Sequence, residues 1–454
     1  MAAAQIHEET VAVRHPDDLI QVFRASEKPA SAYRLGTEAE KFGVHSQTFA
    51  PLSYDGDFGV VQVMRALSRF GWQPETEYEG GPLIALQRAG ASVTLEPGSQ
   101  LELSGTAVGD VHAVRAELDQ HFRELAELSR EIPVTWLSVG FQPLARQSEL
   151  TWVPKKRYAI MREYLPPLGA NAHDMMRRTA TVQVNLDYSN ERDAMRKLRV
   201  GLLLSPLLHA ITANSPFYEG QASGSKSLRG NVWLNMDKSR SGLVHPVLAK
   251  RNAGYADYVD WALDAGIFLL KRGERVIANT GQTFRDFLAN GFQGERATLA
   301  DFKLHLNTLF PEVRLKNTLE LRACDALSSE LLTTIPALGA GLFYDETALT
   351  EAERLSERIE PTALERARPE LVRSGLAAQI GTESAKALAV ELLDIAARGL
   401  DRRTRLDADG ASERKYLTPV MALAETGRCP ADVLLEGLPE SPSAAEIVRR
   451  TRLF

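Results

Sequence analysis

Residues 177–189 (RRTATVQVNLDYS) alternate polar and apolar side chains, and this pattern constrains the fold more than any other stretch of the 454-residue chain. Successive side chains of a β-strand point to opposite faces, so the alternation predicts a strand with one buried face. Its two faces are formed by Val182, Val184 and Leu186 on the apolar side and by Thr181, Gln183, Asn185 and Asp187 on the other.

The rest of the chain adds strands and helices in an irregular order. Further strands are predicted over 33–44, 91–105 (a pair folded around a Pro-Gly turn), 132–141 and 316–325, and helices over 15–31, 109–132, 191–213, 255–271 and, with an Ala/Leu/Glu/Arg-rich composition, from 346 to the end. This is not the regular strand–helix alternation of a doubly wound fold. We therefore expect an α+β protein, with helices packed on one side of an antiparallel sheet and a helical C-terminal segment.

Charge and composition exclude several classes of function. With 53 basic and 59 acidic residues the net charge is -6, so no overall basic surface favours nucleic acid or anionic membrane as a partner. No apolar run approaches the roughly 20 residues that span a bilayer. The first 19 residues resemble neither a secretion signal nor an organelle transit peptide. Cys324 and Cys429 are too few for a disulfide framework, and we expect a cytoplasmic enzyme with two buried thiols.

The chemistry is indicated by glutamates on strand segments rather than on helices. Glu38 and Glu40 are two residues apart, so they share a strand face, and adjacent like charges there are unfavourable unless a cation offsets them. The complete set of strand-borne carboxylates is Glu38, Glu40, Glu96, Glu102 and Glu320. Such oxygen ligands suit Mg²⁺ or Mn²⁺, the ions that accompany nucleotide phosphates. The alternative is that these glutamates are solvent-facing positions of an open sheet.

The common nucleotide-binding signatures are missing, since the chain has neither a P-loop motif nor a GxGxxG after a strand. If ATP binds, it does so through metal ions and dispersed basic residues. Candidates for contacts with ATP or substrate are Lys155, Arg157, Arg178, Lys226, Arg229, Arg314 and Lys316.

Six blocks of the sequence resemble the plant-type glutamate–cysteine ligases, a family that also occurs in bacteria. They are LGTEAEKFGV (35–44), VTLEPGSQLELSG (93–105), WVPKKRYAIMREYLPPLG (152–169), MMRRTATVQVNLDYS (175–189), ANSPFYEG (213–220) and FPEVRLKNTLELRACD (310–325). The resemblance covers nearly the whole chain. It implies a catalytic sheet of glutamine-synthetase type, curved into a funnel, within a catalytic domain over residues 1–345 and a helical segment over 346–454 packed on it.

The resemblance also implies roles for individual residues. The metal ligands would be Glu38, Glu40, Glu96, Glu102 and Glu320, with Gln183 as a further candidate. The residues that act on the substrate carboxylate or the transferred phosphoryl group would be Arg229, Arg322 and Arg178. The expected substrates are ATP, L-glutamate and L-cysteine, with Mg²⁺ or Mn²⁺ as the cofactor.

The implied reaction has two steps and needs no nucleophile from the protein. The γ-carboxylate of glutamate attacks the γ-phosphorus of ATP, and the amine of cysteine then displaces phosphate from γ-glutamyl phosphate. Catalysis of the first step rests on charge neutralisation and alignment.

Two alternatives stay open from the sequence. The same scaffold could pass glutamate or a similar acid to a different amine, or the chain could be a non-catalytic sensor of nucleotide or amino acid. The intact carboxylate set favours an enzyme. One departure from the family pattern is Ser99, which stands where EPGGQ has a glycine, so the turn is expected to differ locally.

Overall fold

Residues 12–454, except Glu274, are described by the structure, which is a computed structural model. The expectation about a leader segment therefore falls largely outside the described residues. Within them, no helix combines the length and the apolar character needed to cross a bilayer.

A nine-stranded antiparallel sheet forms the centre of the fold. Its strands are β1 (Leu35–His45), β2 (Gln73–Thr76), β3 (Leu83–Arg88), β4 (Ala91–Leu95), β5 (Leu101–Ser104), β6 (Val134–Leu137), β7 (Val182–Leu186), β8 (Val313–Leu315) and β9 (Leu319–Leu321). The order across the sheet is β8-β9-β7-β1-β5-β4-β3-β2, and β6 pairs with the second half of β1. Every strand predicted from the sequence lies in this sheet, whereas β2, β3 and β8 were not predicted.

The helices surround this sheet. They are α1 (Pro16–Leu19), α2 (Gln21–Arg24), α3 (Val60–Leu67), α4 (Val111–Leu128), α5 (Lys156–Tyr164), α6 (Ala172–Arg178), α7 (Glu191–Ile211), α8 (Leu228–Leu234), α9 (His245–Ala249), α10 (Tyr255–Leu263), α11 (Phe284–Asn290), α12 (Leu299–Leu306), α13 (Thr334–Phe343), α14 (Glu346–Glu357), α15 (Pro361–Ser374), α16 (Ala385–Arg403), α17 (Thr418–Glu425), α18 (Pro430–Leu435) and α19 (Ala444–Thr451). Short 3₁₀ turns lie at Ala30–Ala32, Ser68–Phe70, Gln147–Glu149, Gly375–Ala377 and Glu413–Tyr416, and two-stranded pairs are formed by Phe217–Tyr218 with Gln221–Ala222, Ser241–Gly242 with Phe310–Pro311, Leu269–Arg272 with Arg275–Ala278, and Gln379–Ile380 with Glu383–Ser384.

The prediction of one helix over 255–271 is wrong in its second half. Helix α10 ends at Leu263, and Leu269–Arg272 pairs with Arg275–Ala278 in a hairpin. Gly273, in the turn of this hairpin, has φ +57, a backbone conformation that favours glycine. The apolar residues before it therefore belong to a strand that ends in a turn, and not to a helix.

The apolar face of the sheet is covered by α4, α7 and α13. Helix α13 approaches β7 so closely that a Cβ atom on Gly339 would lie 2.9 Å from Val184. One hydrophobic core continues from the sheet into α14, α15 and α16, with Leu349, Leu371 and Leu392 fully buried within it. The opposite face of the sheet is left free for polar side chains.

Candidate active site

Strand register places the predicted acidic residues in one row across the polar face of the sheet. Residues directly opposite each other in antiparallel strands point to the same face. Glu40 on β1 lies opposite Glu102 on β5, Glu38 lies opposite Gln183 on β7, and Glu320 on β9 lies opposite Asn185. The row therefore contains four of the five predicted glutamates, although they are far apart in sequence.

Glu96 is the fifth glutamate, and it is held by the turn between β4 and β5. The side chain of Gln100 accepts a hydrogen bond from Gly98 N (2.8 Å) and donates to the carbonyls of Met176 (3.2 Å) and Thr179 (2.9 Å). This tethers the turn to α6. A Cβ atom on Gly98 would lie 2.4 Å from the carbonyl oxygen of Arg177, so the close packing requires glycine there.

Ser99 keeps the turn in a glycine-like conformation, with φ +69, and its hydroxyl is buried without a hydrogen-bond partner. The difference expected at this turn is therefore backbone strain at Ser99, and not a new path of the backbone.

We expect Ser99→Gly to stabilise the protein by about 0.5–1 kcal/mol, because relief of the left-handed strain outweighs the extra chain entropy of the unfolded state. Thermal unfolding of the purified variant checks this, and an unchanged or lower Tm would contradict it.

Glu40, Glu96 and Glu102 form the first group of carboxylates. Burial and repulsion from Glu96 and Glu102 raise the pKa of Glu40 well above its usual range, and burial with repulsion from Glu38 and Glu96 raises the pKa of Glu102 to about 8. Their contacts are hydrogen bonds, including Thr181 N to Glu40 Oε2 (3.0 Å) and Ser104 Oγ to Glu102 Oε1 (2.7 Å). Among the described residues, no salt bridge reaches any of the three carboxylates. Their charge is therefore only partly offset, by the longer-range charges of Arg229 on Glu40 and of Lys155 on Glu102, and a cationic ligand would offset the rest.

Glu320 has the opposite environment. Its Oε2 atom accepts hydrogen bonds from Arg314 Nε (2.6 Å) and Arg322 Nη1 (3.0 Å), and Lys316 Nζ lies 3.8 Å from Oε1. Burial alone would raise the pKa of this fully buried carboxyl, but the three cations hold it far below its usual range. Arg314 and Lys316, predicted as substrate contacts, thus lie beside a carboxylate.

The remaining residues of the row are also engaged. Asn185 Nδ2 donates to Glu38 Oε1 (2.9 Å), while burial and the charge of Glu320 raise the pKa of Glu38. Gln183, a further candidate metal ligand, accepts a hydrogen bond from Arg322 Nη1 through its Oε1 atom (2.7 Å). In this arrangement its oxygen positions a guanidinium group.

The oxygen atoms of this acidic row are suited to a divalent cation that is shared with other ligands. Within residues 12–454 without Glu274, no three Asp, Glu, His or Cys side chains are arranged to hold one metal ion. Glu40, Glu96 and Glu102 nevertheless supply hard oxygen donors with unbalanced charge, and Glu320 Oε1 is a buried oxygen with no hydrogen-bond partner. Mg²⁺ commonly takes one or two carboxylates and completes its shell with water and phosphate. The residues fit such a shared cation site and do not form a closed cage.

We call the adjoining space of about 660 Å³ the carboxylate cleft, defined by Glu40, Glu96, Tyr158, Arg229, Trp233 and Arg322. Arg157 lines its wall too, and Lys155 lies at its edge, where its ammonium donates to the carbonyl of Leu95 (2.8 Å). A second hollow of about 350 Å³ is lined by Arg229, Trp233 and Arg322 as well. The guanidinium groups of Arg229 and Arg322 therefore line two adjoining spaces.

Arg229 is set in place by backbone carbonyls. Its Nη1 and Nη2 atoms donate to Ala323 O (3.1 Å) and Arg322 O (2.9 Å), and its Nε atom is buried with no hydrogen-bond partner. The side chain is only 4% exposed, so a fixed, poorly solvated positive charge faces the cleft. Such a group is suited to binding a carboxylate or phosphate.

Two predicted contacts lie elsewhere. Arg178 is sandwiched between the rings of Phe141 (4.6 Å) and Tyr218 (4.8 Å), and it is not among the residues that line the cleft. Lys226 forms an ion pair with Asp432 of the C-terminal segment. Both lie close in sequence to site residues, but the direction of their side chains follows from long-range packing.

Tyr158 and Trp233 line the cleft and were missed as site residues. Tyr158 OH donates to Glu96 Oε1 (3.3 Å), and Trp233 follows Arg229 by one helical turn. Both occur beside basic residues already selected, in KKRY and LRGNVW, and this adjacency is the signal that could have identified them.

Three plant proteins are similar to this chain over 96% of its length. It is 38% identical to the chloroplastic glutamate–cysteine ligases of Brassica juncea and Arabidopsis thaliana, covering 84% and 83% of those proteins, and 38% identical to the chloroplastic ligase B of Oryza sativa subsp. japonica, covering 87%. The expectation of a cytoplasmic location is contradicted by this comparison, because these relatives are named as chloroplastic proteins.

A solved structure supports the fold. The glutamate–cysteine ligase of Francisella tularensis, determined in complex with AMP, superimposes with a TM-score of 0.55 at 12% identity and covers 92% of this chain and 87% of its own. The predicted α+β fold, with its open antiparallel sheet of glutamine-synthetase type, is confirmed.

The match to a protein-family model also covers most of the chain. The family described as glutamate-cysteine ligase family 2 (GCS2) matches residues 34–450, a range that includes the whole acidic row and the three arginines that line the cleft. The chain belongs to the glutamate–cysteine ligase family 2.

Proposed function

We propose that the chain joins the γ-carboxylate of L-glutamate to the amine of L-cysteine in the carboxylate cleft, with ATP as the energy source, as the first step of glutathione biosynthesis. The observation that carries this proposal is the pair of guanidinium groups, Arg229 and Arg322, which line two adjoining spaces and face the buried carboxylates of the cleft. We place the γ-phosphate of ATP and the γ-carboxylate of glutamate at these guanidinium groups, so that the two reacting groups meet there.

The first step forms a bond between the γ-carboxylate oxygen of glutamate and the γ-phosphorus of ATP, with ADP as the leaving group. Both reactants are anions, so the barrier is lowered by fixed positive charge and by alignment. Arg229 offers its unpartnered Nε atom, and Arg322 is held by Gln183 and Glu320. Neither guanidinium group therefore has to change its position as negative charge is redistributed during phosphoryl transfer.

The acidic side of the cleft is suited to a divalent cation that binds the phosphates. Glu40, Glu96 and Glu102 would hold Mg²⁺ or Mn²⁺, with Glu38 and Glu320 farther along the row. When bound, the ion supplies charge neutralisation for the nucleotide phosphates. Its presence would also counteract the burial and mutual repulsion that raise the pKa values of Glu40 and Glu102.

The second step joins the amine nitrogen to the acyl carbon and releases phosphate. An acyl phosphate hydrolyses if water reaches it, and the cleft limits that access with apolar walls formed by Met161, Met175, Met176 and Trp233. The groups assigned to cation and substrates all belong to residues 1–345, and we propose that 346–454 supports them as a packed helical segment.

The proposal is tested by ADP release from purified protein with ATP, Mg²⁺ and L-glutamate, adding each amino acid and small amine in turn. We expect strong stimulation by L-cysteine and formation of γ-glutamylcysteine, detected by mass spectrometry. Turnover with a different amine would overturn the assignment of cysteine, and absence of turnover with every pair would overturn the proposed reaction.

A further inference from the structure

The carboxylate of Asp325 lies behind the cleft and touches none of the spaces described above. It is fully buried, and its pKa lies below the usual range because hydrogen bonding and charge from His209, with the charge of Arg229, outweigh the effect of burial. A buried anion of this kind persists when its oxygens are fully hydrogen-bonded.

Asp325 receives hydrogen bonds from two serines that flank α8. Ser215 Oγ donates to Oδ2 (2.6 Å) and Ser227 Oγ donates to Oδ1 (2.9 Å), while the backbone N of Asn214 donates to Oδ2 (2.8 Å). Gly140 packs directly against this carboxylate. A Cβ atom at position 140 would lie 2.3 Å from the Asp325 carboxyl carbon, so no space is left there for a side chain.

Each serine hydroxyl in turn holds the first turn of α8. Ser215 Oγ accepts a hydrogen bond from Arg229 N (3.1 Å), and Ser227 Oγ accepts one from Gly230 N (3.0 Å). A hydroxyl group has a single proton, so a serine that accepts from the helix must direct that proton elsewhere. The ionised Asp325, which can only accept, fixes both protons away from α8.

The same short segment also fixes the guanidinium end of Arg229. The carbonyls of Arg322 and Ala323 accept from its two terminal nitrogens, and Asp325 lies two residues after Ala323 in the chain. The backbone and the guanidinium group of Arg229 are therefore both held in place by the segment that follows β9. Strand β9 itself carries Glu320.

We infer that Asp325 is a positioning residue, whose buried carboxylate orients Ser215 and Ser227 so that α8 presents Arg229 at a fixed distance from the acidic row. This rests on the proposed function, in which Arg229 binds a substrate anion. Asp325→Asn is nearly isosteric but adds an amide donor. Its amide donates to one of the two hydroxyl groups, whose proton loses its carboxylate acceptor and must turn to another, such as His209 Nε2, which lies 2.9 Å from Ser227 Oγ. The rotation of that hydroxyl group weakens its hydrogen bond with the first turn of α8.

The kinetic test is a double-mutant cycle with Asp325→Asn and Arg229→Ala. We expect Asp325→Asn to lower kcat/KM by about 10- to 100-fold, the scale of a small misplacement of a reacting group. In the Arg229→Ala background the same change should lower kcat/KM less than about twofold, because the residue through which it acts is gone. Equal factors in both backgrounds, or wild-type kinetics for Asp325→Asn, would overturn the inference.

A second readout does not depend on turnover. Hydrogen exchange of the 227–234 peptide, followed by mass spectrometry, should be faster in Asp325→Asn and in Ser227→Ala than in the wild type. The matched control is Asp345→Asn, which alters a different helix cap, where Asp345 accepts from Ala348 N (2.8 Å). Its 227–234 peptide should exchange as in the wild type.

These outcomes separate the two claims. An inactive wild-type protein would count against the proposed function, and hydrogen exchange would then decide the role of Asp325 alone. Unchanged exchange of 227–234 in both Asp325→Asn and Ser227→Ala would overturn the positioning role, whatever the activity.

Discussion

Glu40→Gln is expected to lower kcat for ADP release by about 10²–10³-fold while raising the Tm of the ligand-free protein. Burial, together with repulsion from Glu96 and Glu102, raises the pKa of Glu40, so either ionisation or proton uptake disfavours the folded state at neutral pH. The amide removes that penalty, about 1 kcal/mol for each pKa unit, and can still accept from Thr181 N. Steady-state kinetics and thermal unfolding measure the two effects.

Glu124→Gln is the matched control for a buried glutamate that has a cation partner. Glu124 accepts from Arg88 Nη1 (2.6 Å) and Trp72 Nε1 (2.9 Å) on the far side of the sheet from the cleft. Its substitution should lower stability by about 3 kcal/mol and leave kcat near the wild-type value below Tm. If Glu40→Gln destabilised the protein as Glu124→Gln does, the description of an unbalanced acidic group would be wrong.

Glu320→Gln should remove several kcal/mol of stability, about 3–5, together with most of the activity. Loss of this carboxylate leaves Arg314, Arg322 and Lys316 clustered without their anion, two of them within hydrogen-bond distance of its Oε2 atom. Arg322 also loses one of the contacts that aim it into the cleft. Urea unfolding gives the stability change, and kcat at a temperature below the transition gives the effect on activity.

A surface pair provides the comparison for Glu320. Glu446 pairs with Arg449 (2.8 Å) and Arg450 (2.6 Å) but is one-quarter exposed, so Glu446→Gln should change stability by less than about 1 kcal/mol. Similar losses for Glu320→Gln and Glu446→Gln would contradict the assigned role of the buried ion cluster.

Sequence reasoning identified the strands of the site because strand alternation is a local property. The alternation over 182–186 and the spacing of Glu38 and Glu40 were sufficient to place these side chains on the polar face. It could not distinguish the two acidic environments, since Glu40 and Glu320 occur in similar strand segments. Their difference depends on Arg314, which lies opposite Glu320 only through the register of the β8–β9 hairpin.

The same dependence on long-range contacts explains why only some of the basic site residues could be predicted from the sequence. Arg322 lies two residues after Glu320, so its position on the same face could be anticipated from the sequence. Arg178 and Arg229 look alike in sequence, but one packs between aromatic rings and the other faces the cleft. The position of Arg229 at the cleft is decided by the start of α8 and by contacts with residues more than 90 positions away.

In the proposed reaction a carboxylate oxygen of glutamate attacks the γ-phosphorus of ATP in the carboxylate cleft. Glutamate labelled with ¹⁸O in its γ-carboxylate, supplied with ATP, Mg²⁺ and L-cysteine, reports on this step. We expect each turnover to transfer one labelled oxygen to inorganic phosphate, with ADP as a further product. Phosphate without label, or label found in AMP, would contradict phosphoryl transfer to glutamate.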